Sequence, residues 1–285
     1  MPTRYKISGN FLALAAIILW STLALISTRL THVSSFLILG VAFMFSGSIS
    51  LVRRNAWKIP LSTMAVGVTG IFGYHFLYFR AFTQAPAIEA NLINYLWPLL
   101  IVVLSPLFLP AYSLKHRHLI AALLGLLGAA MIVTEGHFHI NLQYLPGYLL
   151  ALGAAVTWAV YSLLTKRLPP FETDSVAVFC AISSILSFII FFLTGGTIAE
   201  IQSLRFSDWG LLFLAGLGPL GAAFYCWDAA LKRGDPRTIG SLAYLTPLLS
   251  TLNLMIFAGK SLTPVAIIAM ILIIGGAVLG ARSNA

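Results

Sequence analysis

Leu12–Leu30 reads LALAAIILWSTLALISTRL, and Leu150–Leu168 reads LALGAAVTWAVYSLLTKRL. An offset of 138 residues superimposes Trp20 on Trp158 and Arg29 on Arg167. A helix-length apolar segment with a tryptophan at its middle and a basic residue near its end therefore occurs twice. Further along, Tyr95-Leu96-Trp97-Pro98-Leu99-Leu100 recurs as Tyr244-Leu245-Thr246-Pro247-Leu248-Leu249, at an offset of 149. Gly128–Met131 likewise pairs with Gly275–Val278. The chain reads as one unit written twice, residues 1–140 and 141–285.

Composition says where such a unit sits. The 285 residues are 59% hydrophobic and 9% charged, with a mean hydropathy of +0.95. Soluble domains carry about 25% charged residues, so this surface belongs in lipid. At roughly 20 apolar residues per crossing, ten helices would occupy about 200 positions and leave no room for a soluble domain. Apolar runs predict spans at 10–29, 34–52, 60–81, 87–109, 118–134, 146–165, 174–194, 208–231, 237–258 and 263–281. All are expected to be helices, because open strands leave backbone groups unpaired in lipid. The first span follows Arg4 and Lys6 as a secretory signal would. Its copy in mid-chain argues that it is a permanent helix. The only cysteines, Cys180 and Cys226, lie within apolar stretches and read as small buried hydrophobes.

The formal charge of +9 contains no basic patch interleaved with aromatics, so nucleic acid is not an expected partner. Basic residues in short loops set orientation instead. With the N-terminus cytoplasmic, 13 of the 17 Lys and Arg fall inside: Arg4, Lys6, Arg53, Arg54, Lys58, Lys115, Arg117, Lys166, Arg167, Lys232, Arg233, Arg237 and Arg282. Arg29, Arg80, Arg205 and Lys260 fall outside. That bias places both termini in the cytoplasm. Trp57 and Trp209 fall at span edges, where indoles favour the interface. Five spans per copy is an odd number, so the second copy enters the membrane from the opposite side. Inverted repeats characterise secondary transporters, whose substrate binds near the midplane between the halves.

Polar and small residues mark a path in such a bundle, because lipid and core are equally apolar. Asn91, Asn94, Tyr95 and Pro98 fall at i, i+3, i+4 and i+7 and share one helical face. Unpaired carboxamides in lipid cost several kcal/mol each, on the order of 4 or more against hydrocarbon, so the face points inward, either as interhelical glue or as cavity lining. His75, Tyr78, Phe79 and Phe82 repeat the spacing in span three, a stripe that suits packing and an aromatic ligand equally. Trp158, Tyr161, Ser162 and Thr165 do so in span six, opposite Trp20, Leu23, Ala24 and Ser27 in span one. In span nine the corresponding residues are Gly240, Ala243, Tyr244 and Pro247. Pro98 and Pro247 each remove a backbone donor in mid-span and are expected hinges.

Two five-helix halves with a Trp-Ser or Trp-Ala pair in the first helix and an aromatic-Pro motif in the fourth resemble the EamA-like family of the drug/metabolite transporter superfamily. The stretch Glu89-Ala90-Asn91-Leu92-Ile93-Asn94-Tyr95-Leu96-Trp97-Pro98, with Arg80-Ala81-Phe82 and Gln84 before it, is similar to the bacterial aromatic amino-acid exporter branch. The resemblance implies residence in the bacterial inner membrane and export of Phe, Tyr and Trp, with paraquat-like dications moved by some members. It also implies a substrate role for Trp97, whose helical position alone leaves it free to face a neighbouring helix. Small proton-coupled exporters resembling this superfamily use an acid in the first helix. Residues 10–28 and 146–165 contain no Asp or Glu. The substrate is therefore expected to be neutral overall and carried without obligatory proton exchange.

The remaining ionisable groups have structural readings. Glu89 stands in a first helical turn opened by Pro86, where the helix dipole favours an anion, and an outer pairing with Arg80 is the alternative. Asp228 and Lys232 have the i, i+4 spacing of a helical ion pair. His116-Arg117-His118 and His137-Phe138-His139 lack the Cys or carboxylate companions of a metal site. No phosphate cradle or catalytic trio is present, so no enzyme activity and no cofactor are expected. The sequence thus predicts an all-α integral membrane protein of ten transmembrane helices in two inverted five-helix repeats, with a monomer as the expected state. Spans one, three, four, six, eight and nine would line its cavity. Tyr78, Tyr95, Trp97 and Trp158 are expected to contact an aromatic substrate, supported by Asn91, Asn94, Trp20, Tyr244 and His75. A carrier of cationic drugs or other metabolites and a non-transporting receptor are the competing readings.

Overall fold

A helix satisfies its own backbone, so the apolar runs fold as helices and pack through whatever polar or small side chains they present. The computed structural model of the chain describes residues 7–137, 141–258 and 263–282. Among these, nine helices are long and apolar enough to cross a membrane. They are α1 (Gly9–Arg29), α2 (Ser35–Val52), α4 (Ala87–Phe108), α5 (His116–Thr134), α6 (Leu142–Arg167), α7 (Thr173–Leu193), α8 (Phe206–Arg233), α9 (Pro236–Phe257) and α10 (Pro264–Ala281). The intervening stretch 61–82, α3, is helical in three pieces: Leu61–Val68, a π-helical turn Thr69–Gly73, and Tyr74–Phe82. Tyr74, His75, Tyr78 and Arg80 make it more polar than the nine, which is why the expected count of ten becomes nine by this measure. Arg4, Lys6, His139 and Lys260 lie outside the described residues.

Helices pair across the two copies rather than within them. Contacts between the copies include those of α1 with α8, α3 with α6, α2 with α7, α5 with α10 and α4 with α9. Exchanging each helix for its counterpart turns the first pair into the second and leaves the other three unchanged, as a two-fold relation requires. Glycine sets the close approaches. A Cβ on Gly276 of α10 would stand 2.6 Å from the Ala121 carbonyl oxygen of α5, and one on Gly47 of α2 would meet the Ala181 backbone of α7 at 2.6 Å. Gly9 meets Gly234 in the same way, which places the start of α1 beside the end of α8.

Two kinds of irregular segment also come in pairs. α8 carries a second π-helical turn, Gly218–Ala222, that starts 149 residues after Thr69. The α-helical pattern lapses at Tyr95 and Leu96 in α4 and at Tyr244 in α9, each just before its proline. Pro98 and Pro247 have no N–H to give the carbonyls of Asn94 and Ala243, which accounts for both positions. α1 is interrupted once, at Thr22, whose hydroxyl donates to the Leu19 carbonyl at 2.7 Å.

The bundle has two distinct ends. At one, Arg53 pairs with Asp174 at 3.6 Å, Thr173 and Lys232 both donate to Asp228, Lys166 Nζ donates to the Leu231 and Gly234 carbonyls, and Arg237 donates to the Ser113 carbonyl. We refer to this as the basic end; Trp57 is exposed there. At the other end, His32 meets Asp208 at 3.2 Å and Glu89 accepts from the Tyr148 hydroxyl. Among the described residues no ion pair joins Glu89 to Arg80.

Candidate functional site

Four indoles occupy the middle of the bundle, each delivered by a different helix. Trp20 (α1), Trp97 (α4), Trp158 (α6) and Trp227 (α8) are all mutual neighbours, with ring centroids 5.1 to 6.4 Å apart. Most of these pairs are edge-on or tilted, the arrangement that the ring quadrupole favours. Trp227 is completely buried and its Nε1 donates to Ser162 Oγ at 3.0 Å. The other three form the floor of a cavity of about 530 Å³, a size typical of small-molecule sites.

The cavity walls follow from the helical faces. α3 contributes Tyr74, His75, Tyr78, Phe79 and Phe82, and α4 contributes Asn91, Asn94 and Tyr95 beside Trp97. Hydrogen bonds lock these two faces together: the Tyr78 hydroxyl donates to Asn91 Oδ1 at 2.7 Å, and Asn94 Nδ2 donates to the Tyr74 hydroxyl at 3.1 Å. Leu220 and Phe224 of α8, Thr246 and Ser250 of α9, and Ser35, Ile38 and Leu39 of α2 close the circle. Leu30, Thr31 and Val33, in the α1–α2 connection, also line it, so the cavity opens toward the end opposite the basic one. No Asp, Glu, Lys or Arg is among the lining residues.

Eight of the residues expected from sequence therefore meet here: Trp20, His75, Tyr78, Asn91, Asn94, Tyr95, Trp97 and Trp158. His75 Nδ1 lies 2.7 Å from the Ile71 carbonyl, which can only accept, so Nδ1 carries the proton and Nε2 is left as an acceptor. Tyr244, expected to support the substrate, does not line the cavity. Its ring is fully buried, and its hydroxyl accepts from Leu99 N at 3.1 Å while donating to the Tyr95 carbonyl at 3.3 Å. Those two backbone groups would bond each other in an unbroken helix. Tyr244 is thus inserted into the α4 ladder at the break before Pro98, and the small face of Gly240 and Ala243 lets α9 come close enough to do this. The expected lining omitted α2; α6, which was expected to line the cavity, contributes Trp158 to it.

Tyr74, Phe224 and Trp227 were not singled out from sequence. Applying the 149-residue offset to His75 and Tyr78 would have found Phe224 and Trp227. Asp228 and Lys232 form their expected pair at 2.7 Å, but the carboxyl is wholly buried and also accepts from Thr173 at 2.6 Å. Among the described residues no cluster of His, Cys, Asp and Glu is arranged to hold a metal. His118 serves instead as a helix cap, its Nδ1 accepting from Lys115 N at 3.1 Å.

Comparison with known proteins bears on this geometry. The EamA-like transporter family matches residues 7–134 and again residues 145–281. The aromatic amino acid exporter YddG of Ancylobacter novellus is 38% identical over 279 residues, which is 95% of this chain and 96% of that protein. The threonine/homoserine exporter RhtA of Escherichia coli is 26% identical over 215 residues, 75% of this chain and 68% of that one. One solved crystal structure, of a protein 37% identical, superimposes with a TM-score of 0.89 and covers 97% of this chain and 98% of its own.

Proposed function

The chain belongs to the EamA-like transporter family, and from that premise we propose that it exports aromatic amino acids, Phe, Tyr and Trp, across the bacterial inner membrane by alternating access. The observation that carries this reading is a cavity floored by three indoles and walled by tyrosine, phenylalanine and carboxamide groups, with no full charge in its lining. An aromatic side chain stacks on such a floor with about 0.5 to 1.5 kcal/mol beyond its burial. The similarity to an aromatic amino acid exporter points the same way.

In this reading α3 is the tenth span, and the two halves, 1–140 and 141–285, lie inverted in the membrane. The basic end faces the cytoplasm with both termini, and the cavity opens outward. Substrate is released along the aromatic walls while the basic end stays shut, and the chain works as a monomer. Pro98 and Pro247 act as hinges, with Tyr95, Trp97, Trp158 and Tyr78 contacting substrate. No proton is exchanged obligatorily: the one fully buried acid, Asp228, lies outside the cavity and is already neutralised by Lys232. Counterflow in proteoliposomes tests this directly. Labelled L-Phe should accumulate against unlabelled Phe or Trp with no pH gradient imposed. A strict requirement for a gradient would refute the uncoupled mechanism, and no flux of any aromatic amino acid would refute the substrate class.

A further inference from the structure

Three buried polar atoms of residues that line the cavity have no hydrogen-bond partner: Asn94 Oδ1, Trp158 Nε1 and Thr246 Oγ1. Asn94 is 4% exposed and Trp158 2%. Unmade hydrogen bonds at such positions cost about 1 to 3 kcal/mol each, whereas several neighbouring polar groups of the wall are paired. Tyr78 is matched to Asn91, Asn94 Nδ2 to Tyr74, and His75 Nδ1 to Ile71. The orphans are chemically complementary to one another. Asn94 Oδ1 only accepts, Trp158 Nε1 only donates, and the Thr246 hydroxyl has a proton to give. Asn94 and Trp158 also share a neighbour, since Tyr74 accepts from the Asn94 amide and its ring lies 5.2 Å from that of Trp158.

We propose that these atoms form a subsite for the α-carbon head of a zwitterionic amino acid. Asn94 Oδ1 accepts from the ammonium, with Nε2 of His75, which lines the same cavity, as a second acceptor, and Trp158 Nε1 and Thr246 Oγ1 donate to the carboxylate. The subsite deepens the export reading and rests on it. Its selectivity follows from electrostatics. A net charge in a cavity without counter-ions bears the full cost of leaving water, whereas the two charges of a zwitterion sit side by side and partly cancel. Neutral dipoles then suffice to hold the head, and the side chain is left to the aromatic floor. The subsite therefore discriminates by the presence of both head groups, not by side chain alone.

Equilibrium binding to the purified full-length chain of labelled L-Phe, phenethylamine and 3-phenylpropionate tests the assignment. The wild type should bind L-Phe about tenfold or more tightly than either analogue, each hydrogen bond to a charged group being worth about that factor. Asn94→Leu should weaken L-Phe and phenethylamine about tenfold and leave 3-phenylpropionate unchanged. Trp158→Phe, which keeps a ring but loses the N–H, should weaken L-Phe and 3-phenylpropionate about tenfold and spare phenethylamine. Thr246→Val, nearly isosteric, should follow Trp158→Phe and keeps the test decisive if a larger change prevents folding. Equal affinities for the three ligands in the wild type, or equal losses for all three in folded variants, would overturn the subsite while leaving Phe export standing. Absence of L-Phe binding in the wild type would instead overturn the export reading.

Discussion

Asp228 illustrates how a single side chain is constrained in this bundle. Its Oδ2 accepts from Thr173 and Lys232, Lys232 Nζ also donates to the Phe171 carbonyl at 2.8 Å and lies over the Phe171 ring, and the carboxyl is completely inaccessible. Removing one partner of such a pair strands the other charge, at a cost of about 3 to 5 kcal/mol, whereas replacing both is often nearly neutral. Lys232→Met should therefore lower the thermal midpoint of the purified protein markedly, and Asp228→Leu combined with Lys232→Met should recover most of the loss; a double variant as unstable as the single one would contradict this. Asp235, between α8 and α9, gives a pH test. Burial alone would raise its pKa, but hydrogen bonds from the Arg237 side chain and from Arg237 N outweigh burial and hold the carboxyl below its ordinary value of 3.8. A depressed folded value means that its contribution is complete above the unfolded pKa and is lost as pH falls through the folded one. Asp235→Ala should cost about 1 kcal/mol at pH 7, as for other helix N-caps, and the difference from wild type in thermal midpoint should shrink below pH 4. A difference independent of pH would rule out the carboxylate as its origin. The ion pair at 228 and 232 was legible from spacing alone. The depth of its burial was not, because spacing gives the neighbour on the same helix and says nothing of Thr173 or Phe171 arriving from elsewhere.

At the scale of the helix, the break in α4 is the informative element. Tyr244 stands between Leu99 N and the Tyr95 carbonyl, a side chain occupying the place of an i to i−4 bond, which is one of the recognised causes of a bent helix. Tyr244→Phe removes the bridge and should leave the Leu99 amide less protected, read as faster hydrogen exchange at that position than in wild type; unchanged protection would show that the hydroxyl bears no share of the ladder. Pro98→Ala restores the missing donor to Asn94 and should straighten α4, slowing counterflow by severalfold with little change in the half-saturating Phe concentration. A change confined to that concentration would remove Pro98 from the hinge. Sequence repeats located this break, since both prolines stand beside Tyr-Leu in matching copies. They misplaced Tyr244, because equivalence by offset to Tyr95 assumes equivalent neighbours, and Gly240 and Ala243 give α9 a closer approach than Asn91 and Asn94 allow α4. The paired π-helical turns at Thr69–Gly73 and Gly218–Ala222 left little mark in the sequence: glycines recur in both, but one contains proline and the other does not.

Across the whole molecule, the doubling of one unit explains why helices of opposite copies pair and why a tryptophan from each first helix reaches the same floor. The Leu12–Leu30 and Leu150–Leu168 match carried that much on its own. Phe224 and Trp227 were hidden because their counterparts, His75 and Tyr78, are different residue types at the same offset, so that the face is retained while its identity is not. Close helix packing depends on the small residues of α5 and α10. Gly276→Leu should force these helices apart against the Ala121 carbonyl and Gly125 amide and sharply lower the yield of folded protein, and normal yield with an unchanged thermal midpoint would contradict the close contact. The central claim is that the uncharged, indole-floored cavity is the substrate path and opens on the side opposite the basic end. Ser35 lines its mouth, and the two native cysteines can be replaced by alanine to give a silent background. Labelling of Ser35→Cys in inner-membrane vesicles of both orientations, with a membrane-impermeant thiol reagent, is the most direct measurement. The account predicts rapid labelling from the periplasmic face, slowed by saturating L-Phe; labelling from the cytoplasmic face only, or a rate indifferent to L-Phe, would contradict it.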